Sequence, residues 1–294
     1  MMKPLFKWTG GKNKMMEHYA PHFYPPEDFD LFVDAFFGAG AISIWIAEQF
    51  PHVKFLVNDY NSELILLYRQ LADNGEAFIR RALEVEKKLL SYELDADQRA
   101  YYNELKYRHI DQLDDPVNEA AQLYVMLRIN FNGFWKIYEY SKGRYASHPG
   151  EIAQRNIVNM RDLKKWSQLL STRCTILNED FGEIQNHLTD RSYVYFDPPY
   201  RESTNIYTDD GFSEEDQIRL CALSEQLCKD GHYVAYSNKE IGDGFFDKHL
   251  PSFEHHFFDV HYGAGRGTSY NASNEILAVN FQSIPPNSLE TFFV

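Results

Sequence analysis

The stretch from Leu31 to Asp59 constrains the fold more than any other part of the chain. LFVDAFF (31–37) is a run of strand-forming residues, GAGA (38–41) is a glycine-rich turn, ISIWIAEQF (42–50) opens an apolar helix, and KFLVND (54–59) is a second strand. Strand, turn, helix and strand in that order make a βαβ unit, whose crossover is right-handed and whose strands are parallel. The pattern returns later: CTILNEDF (174–181), YVYFD (193–197), YVAYSN (233–238) and EILAVNF (275–281) read as strands, and EDQIRLCALSEQLCKDG (215–231) as an amphipathic helix. An α/β fold with a mostly parallel sheet is expected from residues 1–61 and 156–294.

Between these halves the period changes. From Ser62 to Leu127 apolar residues recur at three- and four-residue spacing with charges on the other faces, the signature of helices. LRINFNGFWKIYEYSKGRYASHPG (127–150) is aromatic, glycine-punctuated and locally basic, which suits a hairpin or exposed loop over about 128–150. Residues 62–155 therefore read as a mainly helical insertion.

Composition excludes several classes. With 44% hydrophobic and 24% charged residues the chain is globular, not disordered. No apolar run approaches the ~18 residues of a membrane span. The N-terminus MMKPLFKWTGGK lacks a signal-peptide core, so the cytoplasm is expected. Cys174, Cys221 and Cys228 form no CxxC pair, no HExxH occurs, and the adjacent His255 and His256 cannot both face one metal from a strand. No metal site is expected. The net charge of -14 counts against a polynucleotide partner unless Lys and Arg gather on one face.

Three constellations carry chemistry. Gly38 and Gly40 let the backbone turn and approach a ligand closely, but Ser43 stands where a dinucleotide fingerprint needs its third glycine. Asp59, about 19 residues beyond Gly40 and at the end of the next strand, is placed to accept hydrogen bonds from ribose hydroxyls. Trp8-Thr9-Gly10-Gly11-Lys12 is not a phosphate loop. Its glycines and cation suit an amino-acid tail whose carboxylate Lys12 would pair with, which favours S-adenosylmethionine over a nicotinamide dinucleotide.

The third constellation, Asp197-Pro198-Pro199-Tyr200, ends a strand with an acid, a stiff carbonyl and a ring. An aromatic amine is a poor nucleophile because its lone pair is delocalised. Asp197 and the Pro198 carbonyl can each accept an amino hydrogen and free that pair, with Pro199 stiffening the turn and Tyr200 offering a stacking face. Such stacking contributes ~1–3 kcal/mol per base.

KWTGGK, DAFFGAG, VNDYN, NEDF and YFDPPY occur here in the order found in Dam-like DNA adenine methyltransferases of the alpha-ordered group. The chain resembles that family over nearly its whole length, with CKDGHYVAYSN and NEILAVNF similar to its later strands. The resemblance implies a Rossmann-like methyltransferase fold, S-adenosylmethionine as methyl donor, and a target-recognition insertion. It implies an adenine flipped out of double-stranded DNA as the substrate, and a monomer is expected. Trp8, Lys12, Asp59 and Asp197 match cofactor contacts there, and Phe36, Gly38 and Asp180 line the same pocket. Gly10 and Gly40 join them from the loop readings above.

Phe131-Asn132-Gly133 resembles the hairpin segment that wedges into the duplex, and Lys136 and Arg144 would meet base edges or phosphates. Lys136 departs from the arginine of the Dam enzymes. Lysine is a point charge and not a planar fork, so their GATC target does not carry over.

The rival readings are weaker. A cytosine ring methyltransferase needs a cysteine nucleophile, usually after proline, and no cysteine here follows proline. Methylation of the cytosine amino group, usually with serine in place of Asp197, is the nearest alternative. A non-catalytic DNA-binding relative should have lost Asp197, Pro198 or Tyr200.

Overall fold

In a computed structural model, which describes residues 2–108, 115–133, 148–150, 152, 156–201, 212–262 and 271–286, the chain builds one sheet of seven strands. The elements run α1 (Met16–Tyr19), β1 (Leu31–Asp34), α2 (Ala41–Gln49), β2 (Lys54–Asn58), α3 (Ser62–Asp73), α4 (Gly75–Leu90), α5 (Asp95–Arg108) and α6 (Pro116–Ile129). They continue with α7 (Met160–Arg173), β3 (Cys174–Leu177), β4 (Ser192–Phe196), α8 (Glu214–Lys229), β5 (Tyr233–Glu240), α9 (Phe245–His249), β6 (Glu254–Tyr262) and β7 (Asn271–Val279).

The strand order is β3-β2-β1-β4-β5-β7-β6. The first five are parallel, with Val33 opposite both Leu56 and Val194, and β7 runs antiparallel to β5 and to β6. β1 and β4 are buried along their whole length, as a continuous apolar run demands when helices cover both faces. Side chains alternate between two cores. Phe32, Phe55, Tyr193 and Tyr195 face one, while Leu31, Val33, Leu56, Val194 and Phe196 face the other.

The second core is closed by Leu220, Cys221 and Leu227 of α8 and by Phe245 and Phe246 of α9. The first runs without a break from the sheet through Trp166 of α7 into Tyr68, Leu71, Phe78, Ala82, Tyr102 and Tyr124 of the inserted helices. The helical segment thus shares its apolar core with the sheet. Each such fully buried side chain contributes about 1.5–3 kcal/mol.

Several strands differ from the sequence reading: β3 stops at Leu177, short of Phe181, and β7 spans Asn271–Val279 and not 275–281. LFVDAFF leaves the ladder at Asp34, because the backbone turns across to β2: Phe37 N–H donates to Asn58 O at 2.9 Å and Gly38 has φ +48°. From the sequence only the pair His255–His256 reads as strand, and β6 extends that strand over Glu254–Tyr262. It is a sheet edge with Phe257 exposed, so the alternation that marks a half-buried strand is blurred. The His256 ring stacks on His22 with centroids 3.8 Å apart. Among the described residues no group of His, Cys, Asp or Glu is arranged to hold a metal ion, and no helix is long and apolar enough to cross a membrane.

Candidate active site

The carboxyl ends of β1, β2, β4 and β5 lie along one edge of the sheet, and the chain leaves β1 and β4 toward opposite sides. Open α/β sheets bind ligands at such a switch point. Asp197 follows β4 directly, and Pro198 and Pro199, lacking N–H groups, end the ladder there. Phe196 pairs with Tyr236 in parallel register, so the next residues, Asp197 and Ser237, emerge side by side.

Asp197 Oδ1 accepts from Lys12 Nζ at 2.5 Å and from Ser237 Oγ at 2.9 Å, and the Tyr195 hydroxyl lies 2.8 Å from Ser237 Oγ. Burial pushes the Asp197 carboxyl above the usual carboxylate range, against the opposing pull of Lys12 and Ser237. Lys12, only 3% exposed at its side chain, opens a short 3₁₀ turn. Its ammonium also donates to Gly10 O at 3.2 Å and lies 4.7 Å from the centre of the Tyr200 ring.

The neighbouring cleft is built from β1 and β2. Asp59 accepts from Gly38 N–H at 2.8 Å and from Asn61 N–H at 2.9 Å. Burial raises its pKa while these two donors oppose the rise. The Tyr68 hydroxyl donates to Gly38 O at 2.7 Å. A Cβ at Gly38 would lie 3.1 Å from the Trp8 indole, so the bare backbone is what lets Trp8 close over this turn. Gly40, at φ +68°, starts α2 where a Cβ would lie 2.8 Å from the rings of Phe37 and Trp166.

Beneath the cleft, Asp34 is buried and accepts from Ser43 Oγ at 2.7 Å, while its Oδ1 has no partner among the described residues. Burial raises its pKa to about 7; Ser43 opposes the shift and repulsion from Asp197 and Asp59 adds to it.

Phe36 packs against Phe181 and Phe212, at 5.8 and 5.7 Å between centroids. Asp180 caps the 3₁₀ turn Phe181–His187 through Gly182 N–H and takes both guanidinium nitrogens of Arg219, at 2.7 and 2.9 Å. The hydrogen bond from Arg219 holds the Asp180 carboxyl below its usual range. On the far side of the DPPY turn, Gln217 Nε2 donates to Pro199 O at 2.7 Å.

A family described as D12 class N6 adenine-specific DNA methyltransferase has a sequence model that matches residues 8–264. The chain belongs to that family. This methyltransferase is 33% identical over 246 residues to the type II methyltransferase M1.LlaDCHI of Lactococcus lactis subsp. cremoris, covering 81% of each chain. It is 28% identical over 282 residues to the Retron Ec67 DNA adenine methylase of Escherichia coli, covering 95% of this chain and 92% of that one. It is 27% identical over 256 residues to the type II methyltransferase M.MjaIII of Methanocaldococcus jannaschii, covering 84% and 87%. The methyltransferase modifies the N6 amino group of adenine in DNA and takes its methyl group from S-adenosylmethionine.

The cleft of the methyltransferase fits that cofactor. A carboxylate offers about four acceptor sites, and two backbone bonds leave Asp59 with capacity for a ribose diol. The side-chain-free floor at Gly38, beside Trp8, gives a flat group close approach. Lys12, expected at the carboxylate of the cofactor, is here engaged by Asp197.

Of the residues expected to meet DNA, Phe131 is 61% exposed, and the turn it opens touches the glycine loop through Thr9 Oγ1 donating to Gly133 O at 3.1 Å. Phe131 N–H donates to His148 O, and Gly150 N–H to Ile129 O, joining the two ends of this segment. The Asn132 side chain, Lys136 and Arg144 lie outside the described residues.

Sequence reasoning passed over Ser237, Gln217 and Arg219. Ser237 stands beside Asp197 because Phe196 pairs with Tyr236, a register that the two strand sequences alone do not fix. Gln217 and Arg219 sit on a helix whose register against the DPPY turn no local pattern announces.

Proposed function

We propose that Asp197, Pro198, Pro199 and Tyr200 activate the amino nitrogen of an adenine flipped out of duplex DNA, in the manner of the Dam-like alpha-ordered enzymes. The observation that carries this reading is the Asp197 carboxyl, fixed at a strand tip by Lys12 and Ser237 beside the Trp8–Gly38–Asp59 cleft. Asp197 accepts one amino hydrogen and the Pro198 carbonyl the other, which localises the nitrogen lone pair. Tyr200 supports the base by stacking. The cofactor, when bound, supplies an electrophilic methyl group. Trp8, Gly10, Lys12, Phe36, Gly38, Gly40, Asp59, Asp180 and Asp197 form its pocket. The nitrogen must then shed one proton, and Asp197 is placed to receive it before solvent does.

Phe131 and Asn132 wedge the duplex, and Lys136 and Arg144 contact bases or phosphates. The exposed Lys7 and Lys14, either side of the buried Lys12, bring positive charge to this edge of an acidic chain. Residues 62–155 form the target-recognition part, and the enzyme acts as a monomer in the cytoplasm.

The test is Asp197→Ala. Methyl transfer to duplex DNA should be abolished at temperatures where the variant, less stable for leaving the buried Lys12 unpaired, is still folded. Near-normal turnover in that variant would end the proposal. Modification-sensitive sequencing of DNA from a methylation-free host expressing the enzyme would give the target sequence, and a mark on cytosine would favour the cytosine amino-group alternative.

A further inference from the structure

Glu275 is the fully buried carboxylate of β7, at 0% exposure. Because β7 runs antiparallel to β5, with Glu275 opposite Lys239, its first half returns to the edge where β4 and β5 end. There Glu275 Oε2 accepts from the Tyr200 hydroxyl at 2.5 Å and from the Tyr19 hydroxyl at 3.3 Å. Tyr200 is thus held at its tip by Glu275, while Lys12 lies over its ring. The backbone around it is held as well: Gln217 donates to Pro199 O, and Asn238 Oδ1 accepts from Arg201 N–H at 3.2 Å.

A tyrosine that serves only as a stacking surface needs no hydroxyl partner inside the protein. Rotation about its Cβ–Cγ bond, or a swing of the whole side chain, would still offer a face. A hydroxyl tied to a buried carboxylate fixes the ring plane before the base arrives, which is the preorganisation that positions reactants. Burying a carboxylate is costly unless hydrogen bonds compensate it. The two tyrosine hydroxyls do so here, and they tie that compensation to the pose of Tyr200.

We infer that Glu275 is a positioning residue for methyl transfer, acting through the Tyr200 hydroxyl to fix the stacking face for the target adenine. This rests on the reading of Tyr200 as the base platform, and the test separates the two.

Single-turnover methyl transfer to a duplex carrying the target site would be measured for Glu275→Leu, Tyr200→Phe, the double variant, Tyr19→Phe and Tyr200→Ala. Cofactor binding and thermal unfolding would be followed in parallel. Glu275→Leu, which removes the acceptor, and Tyr200→Phe should each slow transfer by roughly ten- to a hundredfold, the scale of loss from misplacing a reacting group. The double variant should be no slower than the slower single, because the contact that Tyr200→Phe removes is among those already lost with the Glu275 carboxylate. Cofactor affinity should stay within about twofold, since neither change touches the Asp59 cleft. Tyr19→Phe should transfer at the parental rate.

If Glu275→Leu does not fold, Tyr200→Phe against Tyr19→Phe still decides, since only the first removes the contact in question. Equal parental rates for these two, or multiplying losses in the double variant, would overturn the role of Glu275. A parental rate for Tyr200→Ala would instead overturn the platform reading.

Discussion

Lys12 and Asp197 are 185 residues apart in sequence, yet the lysine ammonium lies 2.5 Å from the aspartate carboxylate. The contact joins the N-terminal glycine loop to the tip of β4. It also opposes the upward pull of burial on the carboxyl proposed to activate the amino nitrogen, because burial alone would favour protonated Asp197.

Removing that cation has a pH-dependent cost. In Lys12→Met the buried Asp197 loses its partner, which costs on the order of 3–5 kcal/mol. The carboxyl is already raised above 3.8 in the native state and would rise further. A carboxyl with a raised native pKa destabilises the fold where it is ionised, above that native value. The penalty fades as pH falls toward the unfolded value. Urea unfolding should therefore show a larger loss at pH 8 than at pH 4, and the acid limb of the pH–rate profile should move up. An equal loss at both pH values would mean that Lys12 contributes packing and not charge.

Asp34 gives a second linkage. Its pKa is raised to about 7, so the native state holds its proton more tightly than the unfolded chain. Stability from this group falls as pH climbs from 3.8 toward 7, at up to about 1.4 kcal/mol per pH unit. Asn can still accept from Ser43 but does not ionise. Asp34→Asn should thus gain stability relative to the parent between pH 5 and 7, read from urea midpoints. Parallel curves would show that Asp34 does not titrate in that range.

The sequence disclosed a good part of this arrangement, for physical reasons. Strands β1 and β4 are buried on both faces, so their composition is unmistakable, and two prolines mark where β4 must stop. The Gly38 turn and Asp59 were legible because local geometry and spacing define them. The extent of the edge strand β6 beyond His255 and His256 was not, since a half-exposed strand carrying those residues and Phe257 has no clean alternation. Nor was the partner of Lys12, or that of Tyr200 on β7. Both contacts depend on how distant segments pack, which no window of sequence contains.

Gly38 should be sensitive for two reasons. At φ +48° any L side chain is strained, and a Cβ would press on the Trp8 indole at 3.1 Å. Gly38→Ala should lose about 1–2 kcal/mol of stability from the backbone alone. Displacing Trp8 and loosening the Gly38–Asp59 bond should weaken cofactor binding further, by about tenfold or more for each 1.4 kcal/mol lost. Calorimetric titration with the cofactor would check this. Unchanged affinity would place the cofactor away from this turn.

Gln217 offers the sharpest separation of scaffold from chemistry. Its Nε2 donates to Pro199 O, and its Oε1 accepts from the Tyr236 hydroxyl at 2.9 Å and from Asn238 Nδ2 at 3.1 Å. Gln217→Leu keeps the volume but strips buried polar groups of a partner, at roughly 1–3 kcal/mol for each group left unsatisfied. Gln217→Glu keeps the acceptor but sets a carboxyl against Pro199 O, so it strains that contact while adding a buried acid. Both variants should melt lower, and both should transfer methyl groups more slowly at temperatures where they remain folded. Asp197→Ala, which leaves the buried Lys12 ammonium without its carboxylate, should also melt lower, but it should lose transfer altogether where it remains folded. If folded Gln217→Leu protein worked at the parental rate, the two prolines would be holding the turn unaided, and the helix behind it would serve stability alone.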